Sequence, residues 1–395
     1  MKSSETAGEN MKIIDRMLEK QIEKWLFKRK IITVFGARQV GKTTMTQKLL
    51  SKYGEEQNYF NCDIPSIAAR FADPEPVLLK RFFGDARLVV IDEAQRVKNI
   101  GMTLKIIHDT LPEVQVIATG SSSFSLGNTI NEHLTGRGIE FLLYPFSLKE
   151  LEAVYRPNEI DAQLSYFMRY GLYPEIVQKG ERQAEILIEN LASKYLYKDI
   201  LELENLKKPE LLTNLLQLLA FQIGSEVSRN ELANKLGTGR ETIERYLDLL
   251  AKTFVIYRLK PLARNQRNEI ARKEKIYFYD LGVRNSIISS FQPVDTRNDA
   301  DAMFENLMIL ERLKHLEYTG QNPNRWFWRT HDRKEIDYLE EHQGRFDAFE
   351  FKWKKGSIKK SVRARFEQDY PNTVFSLITR NNYFRIFENV SPSAN

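Results

Sequence analysis

Apolar and polar positions alternate along this chain in two periods, and the change of period marks where one kind of layer gives way to another. After a polar tail, Ile13, Ile14, Met17, Leu18, Ile22, Trp25 and Leu26 recur at helical spacing, which predicts a helix leading into the first strand. Ile31 to Phe35 is then short, apolar and β-branched, and a Gly-rich turn and a helix from about Lys42 follow it. Leu88 to Ile91 and Val114 to Ala118 are two further runs of the same kind, each entered from a helical or loop segment. Continuous apolar runs suit strands covered on both faces, so residues 30–150 read as α/β with a parallel sheet and crossover helices.

From Pro145 the period becomes helical. Phe146, Leu148 and Leu151, then Leu164 to Leu206 with a break at Gly171-Leu172-Tyr173-Pro174, predict a helical lid. Leu211 to Phe221, Arg229 to Leu236 and Glu241 to Lys252 form three amphipathic helices, and Phe254 to Leu259 and Ile276 to Tyr279 supply two strands of a wing. Beyond residue 280 a helix at Ala302 to Leu316 is followed by strands near Arg325 to Arg329, Glu335 to Leu339, Ala348 to Lys352 and Val374 to Thr379, which predicts a second α/β core. The expected divisions are 11–150, 151–206, 207–279 and 280–390.

Composition narrows the class. A chain of 395 residues with 42% hydrophobic and 28% charged side chains folds, and into more than one core. The 59 basic residues against 53 acidic ones leave a net charge of +6, a weak argument for an anionic partner. The run from Lys352 to Arg365, with seven basic residues and no acid, reads either as a solvated face or as a phosphate-contacting patch. Cys62 is the single cysteine, which excludes an intrachain disulfide and a thiolate zinc site. No apolar stretch approaches the roughly 20 residues that span a bilayer, and the polar start lacks a secretory core, so the expected compartment is the cytoplasm and no membrane partner is expected.

The first chemical motif is Gly36-Ala37-Arg38-Gln39-Val40-Gly41-Lys42-Thr43, followed by Thr44. Glycines at both ends let backbone N–H groups face phosphates, Lys42 brings charge to the β and γ phosphates, and Thr43 offers a hydroxyl to magnesium. The strand Leu88 to Ile91 then delivers Asp92 to the magnesium shell and Glu93 to an attacking water. A glutamate beside the metal ligand favours hydrolysis of ATP over transfer to a metabolite acceptor. Either Thr119 or Ser121, in the hydroxyl-rich end of the third strand through Ser123, is placed to sense the γ phosphate. Arg137 is read as a source of positive charge for the transition state, from a loop of the same chain or from a neighbouring subunit of a homo-oligomer.

Two further constellations lie downstream. Residues 228–252 have a helix-turn-helix layout, with Ser228 as N-cap, Leu232, Ala233, Leu236, Ile243, Leu247 and Leu250 inward, and Arg240, Glu241, Thr242 and Arg245 outward. Such a unit contacts nucleic acid or serves as a protein-protein or interdomain module. Alternation along a strand puts Glu350 and Lys352 on one face with Phe351 on the other. Asp337 and Glu350 are expected to hold magnesium, with Lys352 polarising the hydroxide and Glu305 supporting the metal from a helix, which is nuclease chemistry; strand-surface ion pairs are the alternative.

Taken together, these motifs, with Val89-Val90-Ile91-Asp92-Glu93-Ala94-Gln95, Leu134-Thr135-Gly136-Arg137, Tyr144-Pro145-Phe146-Ser147 and Ala348-Phe349-Glu350-Phe351-Lys352-Trp353, resemble a prokaryotic family of AAA-type ATPases fused to a restriction-endonuclease-like domain of unknown function. The resemblance implies a multidomain α/β fold: a P-loop AAA-type parallel-sheet domain, a helical lid, a winged helix and a C-terminal PD-(D/E)XK-like domain. It implies ATP and Mg2+ as ligands through Gly36 to Thr43, Asp92 and Glu93, and a nuclease-like site at Glu305, Asp337, Glu350 and Lys352. The departures are Glu335 and Ile336 ahead of Asp337, where many such folds carry proline, and a helix after Lys352 without an obvious Gln-x-x-x-Tyr element. The expected function is ATP hydrolysis coupled to engagement, with or without cleavage, of nucleic acid, DNA in the first instance. The alternative is an ATP-dependent switch whose C-terminal domain docks protein or DNA without cutting.

Overall fold

The computed structural model describes residues 13–121, 133–194, 209–262 and 273–388. The first sheet contains β1 (Ile31–Phe35), β2 (Tyr59–Asn61), β3 (Leu88–Asp92), β4 (Gln115–Gly120) and β5 (Gly138–Leu142) in the order β2-β3-β4-β1-β5, and every pairing is parallel. Every residue of β1, β3 and β4 is buried, as strands covered by helices on both faces require. The edge strands β2 and β5 are short or half-exposed, and no apolar run announced them. Because all five strands run the same way, Phe35, Asp92 and Gly120 finish on one rim of the sheet. That rim is where an α/β sheet of this kind receives ligands.

The expected N-terminal helix is shorter than its apolar pattern, covering Leu18–Glu23. Beyond β5, Ser147 and Glu150 form a reciprocal cap for the short helix Leu148–Leu151. The lid expectation meets helices Pro157–Tyr170 and Glu181–Lys194, and residues 195–206 of it lie outside the described residues. The break at Gly171 has a packing cause. A Cβ there would come within 2.0 Å of Asp280 Oδ1, and Asp280 accepts hydrogen bonds from the N–H groups of Leu172 (2.7 Å) and Gly282 (2.9 Å), fastening the break to the cap of helix Leu281–Ile287.

The third group of elements comprises helices Pro209–Phe221, Arg229–Lys235 and Arg240–Lys252 with an antiparallel sheet of β6 (Glu226–Val227), β7 (Ile256–Leu259) and β8 (Glu274–Phe278), ordered β6-β8-β7. The last group starts with the 20-residue helix Ala300–Thr319 and continues through β9 (Asn324–Arg329), β10 (Glu335–His342), β11 (Arg345–Lys352), helix Lys360–Asp369 and β12 (Val374–Thr379). Its sheet order is β12-β11-β10-β9, antiparallel except for β11 with β12.

Helix Ala300–Thr319 is buried almost all round, and its charged residues are partnered accordingly. Arg312 makes a bidentate pair with Glu340, both bonds 2.8 Å. Glu311 accepts from Leu148 N (2.7 Å), Lys314 donates to the Phe146 carbonyl (2.8 Å), and Glu317 accepts from Leu142 N (3.2 Å). The helix is thereby fixed to the chain leaving β5. After β7 the backbone runs along β9, with Leu262 N donating to Phe327 O (2.7 Å) and Phe327 N to Lys260 O (3.0 Å).

Candidate functional site

The turn after β1 has the backbone its glycines require. Gly36 has φ +156°, and a Cβ on it would lie 2.2 Å from the Leu143 carbonyl oxygen. Gln39 and Gly41 also have positive φ, +60° and +97°, before helix Lys42–Tyr53 begins. Ala37, Val40 and Lys42 are buried and Arg38 is half-buried, while Gln39, Thr43 and Thr44 face solvent. The Lys42 ammonium donates to the carbonyls of Gly36 (2.8 Å) and Ala37 (2.9 Å), so it rests against its own loop.

Asp92 ends β3 on the same rim. Its Oδ2 accepts from Thr43 Oγ1 at 2.8 Å and from the Tyr59 hydroxyl, and its Oδ1 accepts from Thr119 Oγ1. Two of the expected magnesium contacts, Thr43 and Asp92, are thus brought together as a hydroxyl and a carboxylate, a donor set suited to a hard cation. Burial, and then Asp92, push the Tyr59 phenol above its usual range, so it remains a neutral donor. Burial pushes the Cys62 thiol up to about 12, which leaves it unreactive.

Glu93 lies past the strand end with φ +52°, its N–H donating to Thr119 Oγ1 at 3.1 Å. Thr119 is therefore turned toward Asp92 and Glu93, whereas Ser121 meets Gln95. The Gln95 amide donates to the Glu93 carboxylate and to Ser121 Oγ (3.0 Å), and Gln95 Oε1 is buried with no hydrogen-bond partner among the described residues. Ser122 and Ser123 lie outside the described residues.

For Arg137 the geometry bears on the first of its two expected roles, the one within its own chain. Its carbonyl accepts from Ile31 N at the start of β1, whereas the phosphate loop leaves from Phe35 at the strand's other end, and its Nε pairs with Asp109 at 2.9 Å. Five residues of strand separate the two positions, so Arg137 does not reach the phosphate loop of its own chain.

One residue of this site gave no signal in the sequence. Arg16, ahead of the first helix, is buried, and its guanidinium donates to the carbonyls of Val40 and Tyr144 (2.6 Å), to Glu150 Oε1 (3.0 Å) and to the Tyr318 hydroxyl (3.4 Å). It borders a cavity of about 340 Å3 shared by Ile14, Gly41, Met45, Phe146 and Pro174, apolar on most of its wall and open toward the phosphate loop.

A second polar cluster forms where β8, β10, β11 and helix Ala300–Thr319 meet. Glu305, Asp337, Glu350 and Lys352 are brought together here. Lys352 Nζ lies 2.9 Å from Glu350 Oε1 and 3.8 Å from Asp337 Oδ2, and that Asp337 oxygen also accepts from Phe351 N (2.9 Å) beside an irregularity in the β9–β10 register. An unexpected member joins them. Lys275 of β8 is 1% exposed, and its Nζ lies 2.6 Å from Glu335, 3.0 Å from Glu305 and 3.8 Å from Asp337 Oδ1. Tyr277, two residues along β8, donates to Glu305 at 2.5 Å. Burial, then Asp337, pushes Glu305 up to about 7, and the same two causes raise Glu350. Burial works against the Lys275 ammonium, but Glu305, Asp337 and Glu335 outweigh it and keep the group charged. Among the described residues no three Asp, Glu, His or Cys side chains stand in an arrangement that would hold a metal ion.

On helix Arg240–Lys252, Arg240, Glu241 and Arg245 are exposed and Thr242 is half-buried, while Ile243, Leu247 and Leu250 are buried. Ser228 caps the preceding helix through Glu231 N, at 3.3 Å. In the basic run, Lys354, Lys355, Lys359, Lys360 and Arg363 are all exposed. No helix among the described residues is long and apolar enough to cross a membrane.

A parallel five-stranded sheet with a phosphate loop after β1 and a carboxylate pair after β3 defines a P-loop ATPase domain. Residues 28–152 match the family described as an AAA domain, and this segment is an AAA-type P-loop domain. Residues 161–294 match a domain of unknown function, DUF8612, and residues 300–389 another, DUF4143. Among curated proteins, an uncharacterized protein of Mycobacterium tuberculosis is 28% identical over 368 residues, 92% of this chain and 79% of that one. An uncharacterized protein of Methanocaldococcus jannaschii is 25% identical over 348 residues, 82% and 75% of the two chains. Among solved structures, a Walker-type ATPase of Pyrococcus abyssi aligns with TM-score 0.48 at 17% identity, covering 70% of this chain and 96% of that one. The Aeropyrum pernix ORC1 protein, solved in complex with DNA, aligns with TM-score 0.35 at 12% identity, covering 71% and 93%.

Proposed function

We propose that this protein binds and hydrolyses ATP with Mg2+ and uses the cycle to control how its downstream modules engage nucleic acid. The observation that carries the reading is the convergence of Lys42, Thr43, Asp92 and Glu93 on one rim of the sheet, with hydroxyls fixed on both oxygens of Asp92. Mg2+, held by Thr43 and Asp92, would offset the charge of the phosphates. Lys42 exchanges the Gly36 and Ala37 carbonyls for phosphate oxygens, the loop N–H groups cradle the phosphates, and Glu93 orients water. The cavity beside Arg16 suits the base of the nucleotide, since it is mostly apolar and opens onto Gly41.

The order helix, β6, helix, helix, β7, β8 with sheet order β6-β8-β7 supports a winged helix for residues 207–279. Exposed Arg240 and Arg245, with the exposed lysines after Lys352, give the chain surfaces for a phosphate backbone, DNA being the partner we infer. The helix-β-β-β-helix-β order of residues 300–379 and the meeting of Asp337, Glu350 and Lys352 support a restriction-endonuclease-like domain. Cleavage is one output of such a domain. Docking without cutting is the other, and the burial of Lys275 among its carboxylates favours docking. A role for Arg137 in the site of a neighbouring copy is part of the same proposal, and requires a homo-oligomer.

Two assays test the reading. Purified protein should release phosphate from ATP only with Mg2+, and Glu93→Gln should retain nucleotide while losing turnover; wild-type protein that binds no ATP would overturn it. Linear and supercoiled DNA and RNA, incubated with and without ATP, separate the outputs: Mg2+-dependent degradation lost in Lys352→Ala establishes cutting, and ATP-dependent binding without degradation establishes docking.

A further inference from the structure

Both carboxylate oxygens of Asp337 face an ammonium group. Oδ2 lies 3.8 Å from Lys352 Nζ and Oδ1 lies 3.8 Å from Lys275 Nζ. Lys352 is on β11, next to β10, and belongs to the expected set. Lys275 does not. It comes from β8, in the sheet of the preceding module, and it holds Glu305 and Glu335 at 3.0 and 2.6 Å, the distances of charge-assisted hydrogen bonds.

We propose that Lys275 is a built-in cation that keeps the C-terminal carboxylates closed to a divalent metal, so that metal entry and the seating of β8 exclude each other. Magnesium demands oxygens at about 2.0–2.1 Å in near-octahedral array. Glu305 and Asp337 cannot turn their oxygens inward on such an ion while an ammonium stands among them. Four carboxylates, Glu305, Glu335, Asp337 and Glu350, are already balanced in part by Lys275, Lys352 and Arg329, the last 3.5 Å from Glu335. The residues present therefore do not fit a metal as this chain is folded.

Lys275 also has no way to leave alone. β8 is the central strand of its sheet, bonded to β6 on one side and β7 on the other, and the Lys275 side chain is only 2% exposed. Further ties join the same two modules: Arg329 to Glu226 at 3.0 Å, and the backbone bonds between Phe327 and residues 260 and 262. Freeing the carboxylates means separating the modules as bodies. Control of a C-terminal activity is then a matter of whether β8 is docked, and the bonds of helix Ala300–Thr319 to the chain after β5 make the ATPase domain a candidate source of that motion.

The inference rests on the restriction-endonuclease-like reading only for what an opened site would do; the exclusion of metal stands on Lys275 itself. The test uses the full chain carrying Asp92→Asn, which weakens metal binding at the phosphate loop, with Mn2+ as the probe and electron paramagnetic resonance and thermal denaturation as readouts, so it needs no ATP turnover. With Lys275 intact, Mn2+ should neither bind through Asp337 nor shift the melting midpoint. Adding Lys275→Gln should tighten Mn2+ binding by at least about tenfold and make the midpoint rise with Mn2+. A Lys275→Gln protein that folds only when Mn2+ is supplied counts the same way. The proposal is overturned if the Lys275 protein binds Mn2+ through a signal abolished by Asp337→Asn, if Lys275→Gln gains no affinity, or if that variant stays unfolded with Mn2+ present.

Discussion

Gln95 donates its side-chain amide to the carboxylate of Glu93 and to Ser121 at once, and its own carbonyl oxygen is buried without a partner among the described residues. A buried acceptor left unmade costs about 1–3 kcal/mol, and a water between Gln95 and Glu93 would satisfy it. Gln95→Ala should slow phosphate release by about 10- to 100-fold, since a base out of place by an ångström loses that much. Nucleotide affinity, measured by titration with a fluorescent analogue, should hold. Unchanged turnover would remove Gln95 from the hydrolytic site.

Gly36→Ala is expected to abolish nucleotide binding. The new methyl would meet the Leu143 carbonyl at 2.2 Å, and the same carbonyl-bearing residue donates its N–H to Phe35 O at 2.8 Å, so the clash falls on the ladder between β1 and the chain leaving β5. Calorimetric titration with ATP should show no heat, while the helix content read by far-UV circular dichroism stays at the wild-type level. A variant that binds ATP normally would show that the loop has room this packing denies it.

Arg16→Met should destabilise the chain severely. Glu150 would be left buried with its cationic partner gone, a loss of about 3–5 kcal/mol. The Val40 and Tyr144 carbonyls would lose a donor as well. Thermal denaturation reads the stability, and ATP titration of the surviving fold should show weakened binding. Double substitution with Glu150→Leu should recover part of the stability and none of the affinity.

Asp347 gives a pH prediction with a definite sign. Burial pushes its carboxyl up to about 6, against Arg345, with Glu340 across the ladder adding to the rise. The unfolded chain releases this proton near 3.8. Between those values the folded state holds a proton that the unfolded state has lost, so this residue's effect is to lower stability as pH climbs through the window. Asp347→Asn should therefore be the more stable protein at pH 7, by up to about 3 kcal/mol, with the gap closing below pH 4. Chemical denaturation at the two pH values measures it; a gap that widens in acid would reverse the argument.

How much of this was legible in the sequence depended on where each partner lies. β1, β3 and β4 were readable because central parallel strands are apolar throughout, and the phosphate loop because its chemistry is local. β2 and β5 are edge strands whose mixed exposure leaves no run to find. Arg16 looks like any polar position of an amphipathic stretch, since its partners lie 24, 128, 134 and 302 positions away. Lys275 did carry a trace. Lys275 and Tyr277 share one face of β8, and two polar side chains on a buried face need partners. For Arg137, chain order gave the motif but not which rim of the sheet it occupies.

Helix Ala300–Thr319 holds Glu305 near one end and Tyr318 near the other, thirteen positions apart, or about 20 Å at the rise of an α-helix. With no glycine or proline inside it to place a kink, the helix can carry a tilt from one end to the other. A tilt of a few degrees where Tyr318 meets Arg16 moves Glu305 by about an ångström against Lys275. In the proposed control of the C-terminal carboxylates such a linkage is reciprocal, so a ligand gripping the far arm would change affinity at the phosphate loop.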